Sequence, residues 1–169
     1  MGGLENTQDK IGKRAWEREA ILLLIREYNA LGTGPGYRLL FQQERPDAVL
    51  EEKGPLRRKL GVEITHLFAS QQEAMDVFNR RIPAPDQEGV TIDHLLKELN
   101  HLIGKKVGKR SAYSMSYPIA LLIRNASPVF GMSDFLPRLT EVDLPAGVFT
   151  HIWFLSRDGS PEWKLAELL

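Results

Sequence analysis

The chain has 169 residues, with 22 basic and 22 acidic side chains, a formal net charge of zero and 43% hydrophobic residues. This composition is typical of a folded domain, and it excludes a disordered chain and a globally basic nucleic-acid binder. The sequence has no cysteine, which excludes disulfides, thiolate metal ligands and a cysteine nucleophile. No apolar run has the length of a membrane span, and the first residues lack the apolar core of a signal peptide, so we expect a cytoplasmic protein without membrane contact.

The N-terminal part of the chain predicts a tail followed by an amphipathic helix. Residues 1–12 are polar and predict a flexible tail, after which helical periodicity runs to Leu31 and ends at the glycine-rich GTGPG. On a helical wheel, Glu17 falls within the apolar stripe that contains Ile21 and Leu24. A carboxylate in that position needs a cation or another polar partner.

The rest of the chain alternates between strand and helix patterns. Three extended segments over 37–42, 47–50 and 60–67 have short connections, which favour antiparallel pairing. Helices are predicted over 70–80 and over 91–103, the second closed by Gly104. An apolar run over 117–123 is typical of a central strand, and it is followed by a short helix opened by Ser133 and by strands over 150–156 and 163–168. This order predicts a single α/β domain over 1–169, with a mixed sheet flanked by helices.

Two acids stand out in the predicted meander. Asp47 lies in RPDAVL and Glu63 lies in GVEIT, on segments expected to be adjacent. Paired carboxylates on neighbouring strands, together with a backbone carbonyl, suit a hard cation such as Mg²⁺. The alternative for Asp47 is a structural role in the turn that follows a proline. Glu63 lies within an apolar strand, where a buried acid needs compensation.

RPDAVL followed by GVEIT resembles the paired acidic motif of the PD-(D/E)XK, or restriction-endonuclease-like, nucleases. The order of elements over roughly residues 13–125 is similar to the αβββαβ core of that superfamily. The resemblance implies hydrolysis of DNA phosphodiester bonds with Mg²⁺ or Mn²⁺, held by Asp47, Glu63 and the carbonyl of Ile64. Thr65 occupies the place of the motif lysine, so the resemblance also implies a cation from elsewhere, slow chemistry or a vestigial site.

Two further residues match the superfamily more weakly. Glu17 resembles the first-helix glutamate that often adds to the metal site, although it can equally pair with Arg14 or another arginine. Gln72 resembles a glutamine that some members carry on the helix after the third strand.

Basic residues cluster in two places of this neutral chain, and both clusters are candidates for holding a phosphate backbone. The first comprises Lys53, Arg57, Arg58 and Lys59, and the second Lys105, Lys106, Lys109 and Arg110. Tyr113 follows the second cluster and can stack on a base or pack in the core. For either cluster alone, the alternative is a solvated basic loop.

Several functions are consistent with these features, and the sequence leaves it open whether the chain is an enzyme. The leading hypothesis is a magnesium-dependent endodeoxyribonuclease, and the sequence leaves open whether it works as a monomer or as a homodimer. The alternative is an inactive nucleic-acid-binding or protein-interaction module of the same fold, which the threonine at position 65 favours. A third hypothesis is an unrelated α/β protein whose basic loops serve solubility or assembly.

Overall fold

The computed structural model describes residues 3–70, 90–109, 113 and 116–169. Its elements follow the order helix, three strands, helix, strand, short helix, two strands. They are α1 (Gly3–Leu31), β1 (Tyr37–Gln42), β2 (Ala48–Glu52), β3 (Lys59–Leu67), α2 (Ile92–Gly108), β4 (Ile119–Asn125), α3 (Met132–Phe135) with a 3₁₀ helix (Leu136–Glu141), β5 (Ile152–Arg157) and β6 (Trp163–Glu167). The predicted helix from residue 71 to 80, which includes Gln72, lies outside the described residues.

The six strands form one mixed sheet in the order β1-β2-β3-β4-β5-β6. The first three are antiparallel neighbours, as their short connections predict. β4 lies parallel to β3 after the long connection that contains α2, and β5 lies parallel to β4. β6 returns antiparallel along β5. The sequence-based expectation of an α/β domain with a mixed sheet is therefore confirmed.

Each face of the sheet is covered by a different helix. On one face, Ala20, Ile21 and Leu24 of α1 pack against the inward side chains of β2 and β3, such as Leu50 and Val62. On the other face, α2 contributes its own apolar stripe, and that stripe packs against alternate residues of β3, β4 and β5. The sheet is thus the middle of three layers, with a separate core on each side.

Three helix boundaries differ from the sequence-based expectation. α1 begins at Gly3, so its backbone includes residues predicted as a tail; no proline interrupts this stretch, and extending a formed helix adds one hydrogen bond per residue. α2 begins after Thr91, which caps it by accepting from the His94 N–H, and passes Gly104 to end at Gly108. α3 begins after Gly131 rather than at Ser133, because the Asp134 carboxylate accepts from the Gly131 N–H.

No helix among the described residues is long and apolar enough to cross a membrane.

Candidate functional site

The pairing of β2 with β3 brings Asp47 and Glu63 together. Ala48 pairs with Val62 in this antiparallel ladder, so Asp47, one residue before β2, stands opposite Glu63. Directly opposed residues of antiparallel strands point to the same face, with their Cβ atoms about 5 Å apart. Both side chains are buried. The two acids therefore share one site at the open end of the β2–β3 hairpin.

Gly61 of β3 leaves room for Pro46, the residue just before Asp47, to pack against the strand. A Cβ atom on Gly61 would lie 2.7 Å from Cγ of Pro46 and 2.6 Å from Cδ1 of Ile119. The proline ring is rigid and belongs to the residue that precedes Asp47, so it cannot give way without moving that acid. A glycine two residues before Glu63 is thus part of how the sequence positions the facing carboxylate.

Lys106 of α2 provides the cation that Glu63 needs. Its Nζ lies 2.9 Å from Oε1 of Glu63, and the two side chains are 15% and 6% exposed. The other carboxylate oxygen of Glu63, Oε2, is buried and accepts no hydrogen bond from the described residues. A buried oxygen without a donor is costly, and an additional cation or donor at this point would satisfy it.

Asp47 is held by one backbone group and lacks an ion pair among the described residues. Its Oδ2 accepts a hydrogen bond from the Ile64 N–H at 2.8 Å. Burial raises the pKa of Asp47 to about 7, and the charges of Glu63 and Glu17 add to the rise, while the Ile64 N–H and Lys106 oppose it. The carboxyl group is thus poised to exchange a proton for a cation near neutral pH.

The carbonyl of Ile64 faces the same edge as Asp47. The N–H and C=O of a strand residue project to the same side of the strand, and the Ile64 N–H points to Asp47. Since the β2–β3 ladder ends at the pair Ala48–Val62, this carbonyl lies beyond the regular pairing. It is the backbone oxygen best placed to join the two carboxylates.

Thr65 lies on the same face of β3 as Glu63 and is buried, but it does not line the cleft around the acids. A threonine hydroxyl brings no positive charge to the site. The charge comes instead from Lys106 on the neighbouring helix.

Glu17 approaches the acids from α1, the helix on the opposite face of the sheet. It is buried, and Nζ of Lys13, one turn earlier, lies 3.7 Å from its Oε1. Burial raises the pKa of Glu17, Lys13 opposes the rise, and Glu63 adds to it. The predicted need for a cationic partner is met by Lys13 rather than by Arg14.

No group of three or more His, Cys, Asp or Glu side chains within the described part of the chain has the arrangement of a metal site. Glu17 therefore contributes negative charge to the environment of Asp47 and Glu63 without completing a three-acid cluster. The pair that remains, with the Ile64 carbonyl, is a small ligand set. This is compatible with Mg²⁺, which commonly uses one or two carboxylates and keeps several water molecules.

A small cleft opens beside the acids. Its volume is about 120 Å³, enough for a hydrated ion but not for a nucleic-acid strand, which must lie across its mouth. Among the described residues, basic side chains outnumber acidic ones along its lining. The lining residues are Lys13, Glu44, Arg45, Asp47, Glu63, Ile64, Lys106, Lys109 and Tyr113.

The two predicted basic clusters are placed differently. The hairpin cluster, residues Lys53, Arg57, Arg58 and Lys59, lies at the turn of β2–β3, at the other end of β2 from Asp47 and roughly 17 Å away. These residues do not line the acid cleft. In the second cluster, Lys106 and Lys109 line the cleft, and Lys105 is exposed elsewhere on α2. Arg110, the fourth member of that cluster, lies outside the described residues. Only the second cluster therefore contributes side chains to the cleft around the acids.

Tyr113 combines a packing role with a place in the cleft wall. Its ring packs near Phe149, with centroids 6.2 Å apart, and its hydroxyl donates to the Lys106 carbonyl at 2.9 Å. Burial and the nearby charges of Glu63 and Asp47 raise the pKa of its phenol. Tyr113 thus braces the end of α2 that carries Lys106, and its buried ring is not available to stack on a base.

The partnership of Lys106 with Glu63 was not among the roles expected from the sequence. A signal for it exists: Lys106 follows buried Leu99 and Ile103 by seven and three residues, so it continues the inward stripe of α2. Gly104 makes this continuation of the helix hard to predict, because glycine commonly ends helices. Lys13, four residues before Glu17, has the spacing of a helical ion pair.

Comparison of the chain with models of known protein families, with curated proteins and with solved structures found no match.

Proposed function

We propose that the chain is a magnesium-dependent nuclease that hydrolyses phosphodiester bonds of DNA, with Lys106 in the role of the lysine that Thr65 replaces. The observation that supports this most directly is the triad of facing Asp47 and Glu63 with Nζ of Lys106 at 2.9 Å from Glu63. Two acids and one lysine are the side chains that the PD-(D/E)XK resemblance implies. Here the lysine comes from the helix that precedes the fourth strand.

The order of elements around the triad supports the same proposal. A long helix, an antiparallel meander, a second helix and a strand parallel to the third follow one another along the chain. This is the αβββαβ sequence of elements that the resemblance predicts. β5 and β6 extend the sheet beyond it.

The residues present fit a divalent cation. Oε2 of Glu63 is buried without a donor among the described residues, and Asp47 has no ion pair there. The charge of Glu63 adds to the raised pKa of both Asp47 and Glu17, and bound positive charge would relieve that repulsion. Asp47, Glu63 and the Ile64 carbonyl would hold the ion. When bound, Mg²⁺ supplies a Lewis acid and an activated water for attack on phosphorus.

The side chains of the protein would stabilise charge, bind phosphates and position the helix end. Lys106 carries a positive charge next to the acids, where a preorganised donor stabilises the negative charge that develops on a reacting phosphate. Lys13, Arg45 and Lys109 line the cleft and can hold flanking phosphates by charge. Tyr113 positions the end of α2 through the Lys106 carbonyl.

A cleavage assay tests the proposal. Supercoiled plasmid incubated with the protein and Mg²⁺ or Mn²⁺ is expected to be nicked or linearised, and chelation with EDTA should stop the reaction. Asp47→Asn, Glu63→Gln and Lys106→Met should each lower the rate by roughly 10²-fold or more. Lys97→Met, which removes an exposed lysine of the same helix away from the cleft, is the matched control and should cleave as the wild type does.

Two results would overturn the proposal. Cleavage that persists in Glu63→Gln would point to a contaminating nuclease. Metal-independent DNA binding without any cleavage would favour the inactive binding module, for which Thr65 already argues.

A further inference from the structure

A second and much larger cleft lies at the carboxyl ends of β4 and β5. Its volume is about 1020 Å³, which is the size of a site for a small organic ligand rather than for an ion. One wall comes from Trp16 of α1 and Trp163 at the start of β6, and the others come from the segments 124–131 and 156–161 that follow β4 and β5. None of these residues belongs to the lining of the acid cleft.

Alternating rings and guanidinium groups form the first wall of this cleft. The guanidinium carbon of Arg124 lies 4.9 Å from the ring centroid of Trp16 and 4.8 Å from that of Trp163. Arg157 adds another layer, 4.7 Å from the Trp163 centroid. Such a stack offers flat surfaces and edges rich in N–H donors, the combination that binds bases and phosphates.

Arg124 is buried but not saturated. Its side chain is 6% exposed, and Nη2 donates to Glu19 at 2.9 Å while Nη1 is 3.4 Å from the Trp16 carbonyl. A guanidinium has five N–H donors, so these two contacts within the described residues use only part of its donor capacity.

Ser127 supplies an independent sign of a missing ligand. It lines the cleft, it is 5% exposed, and its Oγ has no hydrogen-bond partner among the described residues. Its backbone is fixed, because the Ser127 N–H donates to Oδ1 of Asn125, whose Nδ2 donates to Oγ of Ser156 at 3.0 Å. A rigidly held, buried hydroxyl without a partner is rare in folded proteins and is satisfied when a ligand supplies an acceptor.

The acids of this cleft already have partners. Oδ1 of Asp158 accepts from the N–H and the hydroxyl of Ser133, at 3.1 and 2.7 Å. Asp134 accepts from the Gly131 N–H at 2.8 Å. The guanidinium groups and the Ser127 hydroxyl are therefore the donors beside the planar wall, a combination that suits an anion joined to a planar group.

We propose that this cleft binds a nucleotide unit, with its base against the tryptophan–arginine wall and its phosphate accepting from Arg124, Arg157 and Ser127. The proposal does not require the nuclease function. The same chemistry is offered by a free mononucleotide and by the phosphorylated end of a nucleic-acid strand, and binding measurements can tell the two sources apart.

The test measures binding in EDTA, so that no cleavage occurs. Adenosine 5′-monophosphate, adenosine, and a 5′-phosphorylated octamer of deoxyadenylate are titrated while tryptophan fluorescence is followed, with calorimetry as a second readout. We expect the monophosphate to quench the fluorescence and adenosine to bind at least about tenfold more weakly, because it lacks the charged acceptor. A tighter complex with the octamer identifies a strand end as the source, and a tighter complex with the monophosphate identifies a free nucleotide.

Two mild variants locate the binding in this cleft. Ser127→Ala should weaken binding by about fivefold and Arg157→Ala by about tenfold, while Lys97→Met should bind as the wild type does. Glu63→Gln should also bind normally, so a failure of the nuclease proposal leaves this result unchanged. Absence of binding by both phosphorylated probes at millimolar concentration would overturn the inference. Equal binding of adenosine and its monophosphate, or binding that neither Ser127→Ala nor Arg157→Ala weakens, would overturn it as well.

Discussion

The two ends of the β2–β3 hairpin each carry a pair of acids with little exposed surface, but they balance that charge differently. At the turn, Glu51 forms an ion pair with Arg38, and Glu52 accepts from Nε of Arg58 at 3.0 Å. At the open end, Lys106 contacts Glu63 and Asp47 has no cation of its own among the described residues. The pKa of Glu52 is lowered by the hydrogen bond from Arg58, whereas that of Asp47 is raised to about 7.

This difference separates acids whose charge is balanced within the fold from acids whose charge a ligand could balance. Where each acid is paired with its own guanidinium, the negative charge is balanced within the protein and a ligand is not needed to balance it. Acids that share one lysine repel each other, and this repulsion is unfavourable. A bound cation or a proton reduces it. The same residue types in one hairpin therefore predict opposite responses to neutralisation.

Neutralising Asp47 should have the largest effect on stability. An acid with a folded-state pKa near 7 and an ordinary value of 3.8 when unfolded makes the native state less stable as pH rises from about 4 to 7. Asp47→Asn keeps an acceptor for the Ile64 N–H and removes this penalty. We expect the variant to gain on the order of 4 kcal/mol over the wild type at pH 8 and little at pH 4, measured by urea unfolding.

Glu52→Gln at the turn serves as the comparison, because its expected change in stability has the opposite sign. It loses a favourable pair, so it should be less stable than the wild type at pH 8. The contrast between the two ends fails if both variants shift stability in the same direction.

Removing Lys106 should come next in size. Lys106→Met leaves the buried Glu63 carboxylate without its cation, and we expect a loss of about 3 kcal/mol at pH 8. Glu63→Gln in the same chain should restore most of that loss, since the uncompensated charge is then gone. Denaturant unfolding of the two single variants and the double variant measures the coupling. Strictly additive effects would show that the pair does not interact.

Gly61→Ala should destabilise the open end through sterics alone. The added methyl meets the Pro46 ring, and we expect a loss of about 2 kcal/mol together with weaker metal binding at Asp47. Gly104→Ala is the matched control, because a Cβ there meets no atom of the described chain within 4 Å and alanine is the better helix former. The control should be slightly more stable than the wild type, and equal losses in both variants would refute the assigned role of Gly61.

The smallest effect is expected for Arg58→Gln. Its pair with Glu52 is exposed to solvent on the arginine side, where screening weakens an ion pair. Thermal melting should show a smaller change than any variant at the open end, and the change should shrink further in high salt. A loss as large as that of Lys106→Met would contradict the difference between the two ends.

Much of the fold follows from local patterns in the sequence. The alternation in LGVEITHL places Glu63 and Thr65 on one face and Val62 and Ile64 on the other, which agrees with the two observed cores. Short connections between the first three strands predict the antiparallel meander, and the apolar run around Leu121 predicts a central strand. These features depend on residues close to one another in the chain.

The composition of the site depends on long-range packing and was harder to predict. Asp47 and Glu63 face each other only in the strand register that pairs Ala48 with Val62. A shift of the register by one residue would send one acid to the other face of the sheet. Lys106 reaches Glu63 only because α2 continues past Gly104, against the usual preference of glycine for helix ends. A cation that could replace the lysine implied by the resemblance at position 65 is therefore visible only in the assembled helix and sheet.

The larger cleft at the carboxyl ends of β4 and β5 cannot be predicted from local sequence patterns for a related reason. Trp16, Arg124 and Trp163 are far apart in sequence and meet only because α1 crosses the end of the sheet near β4 and β6. Each residue taken alone is typical of packing. Their alternation in space is the observation that supports the proposed nucleotide site.

The most direct test of the central claim is a titration with Mn²⁺ at pH 8, followed by electron paramagnetic resonance of the free ion. We expect the wild type to bind one ion per chain, and Asp47→Asn and Glu63→Gln each to abolish this binding, while Glu52→Gln and Lys97→Met retain it. Binding should weaken below pH 7, as protons compete for Asp47. Equal Mn²⁺ binding by the wild type, Asp47→Asn and Glu63→Gln would contradict the assignment of these two facing acids as the metal site.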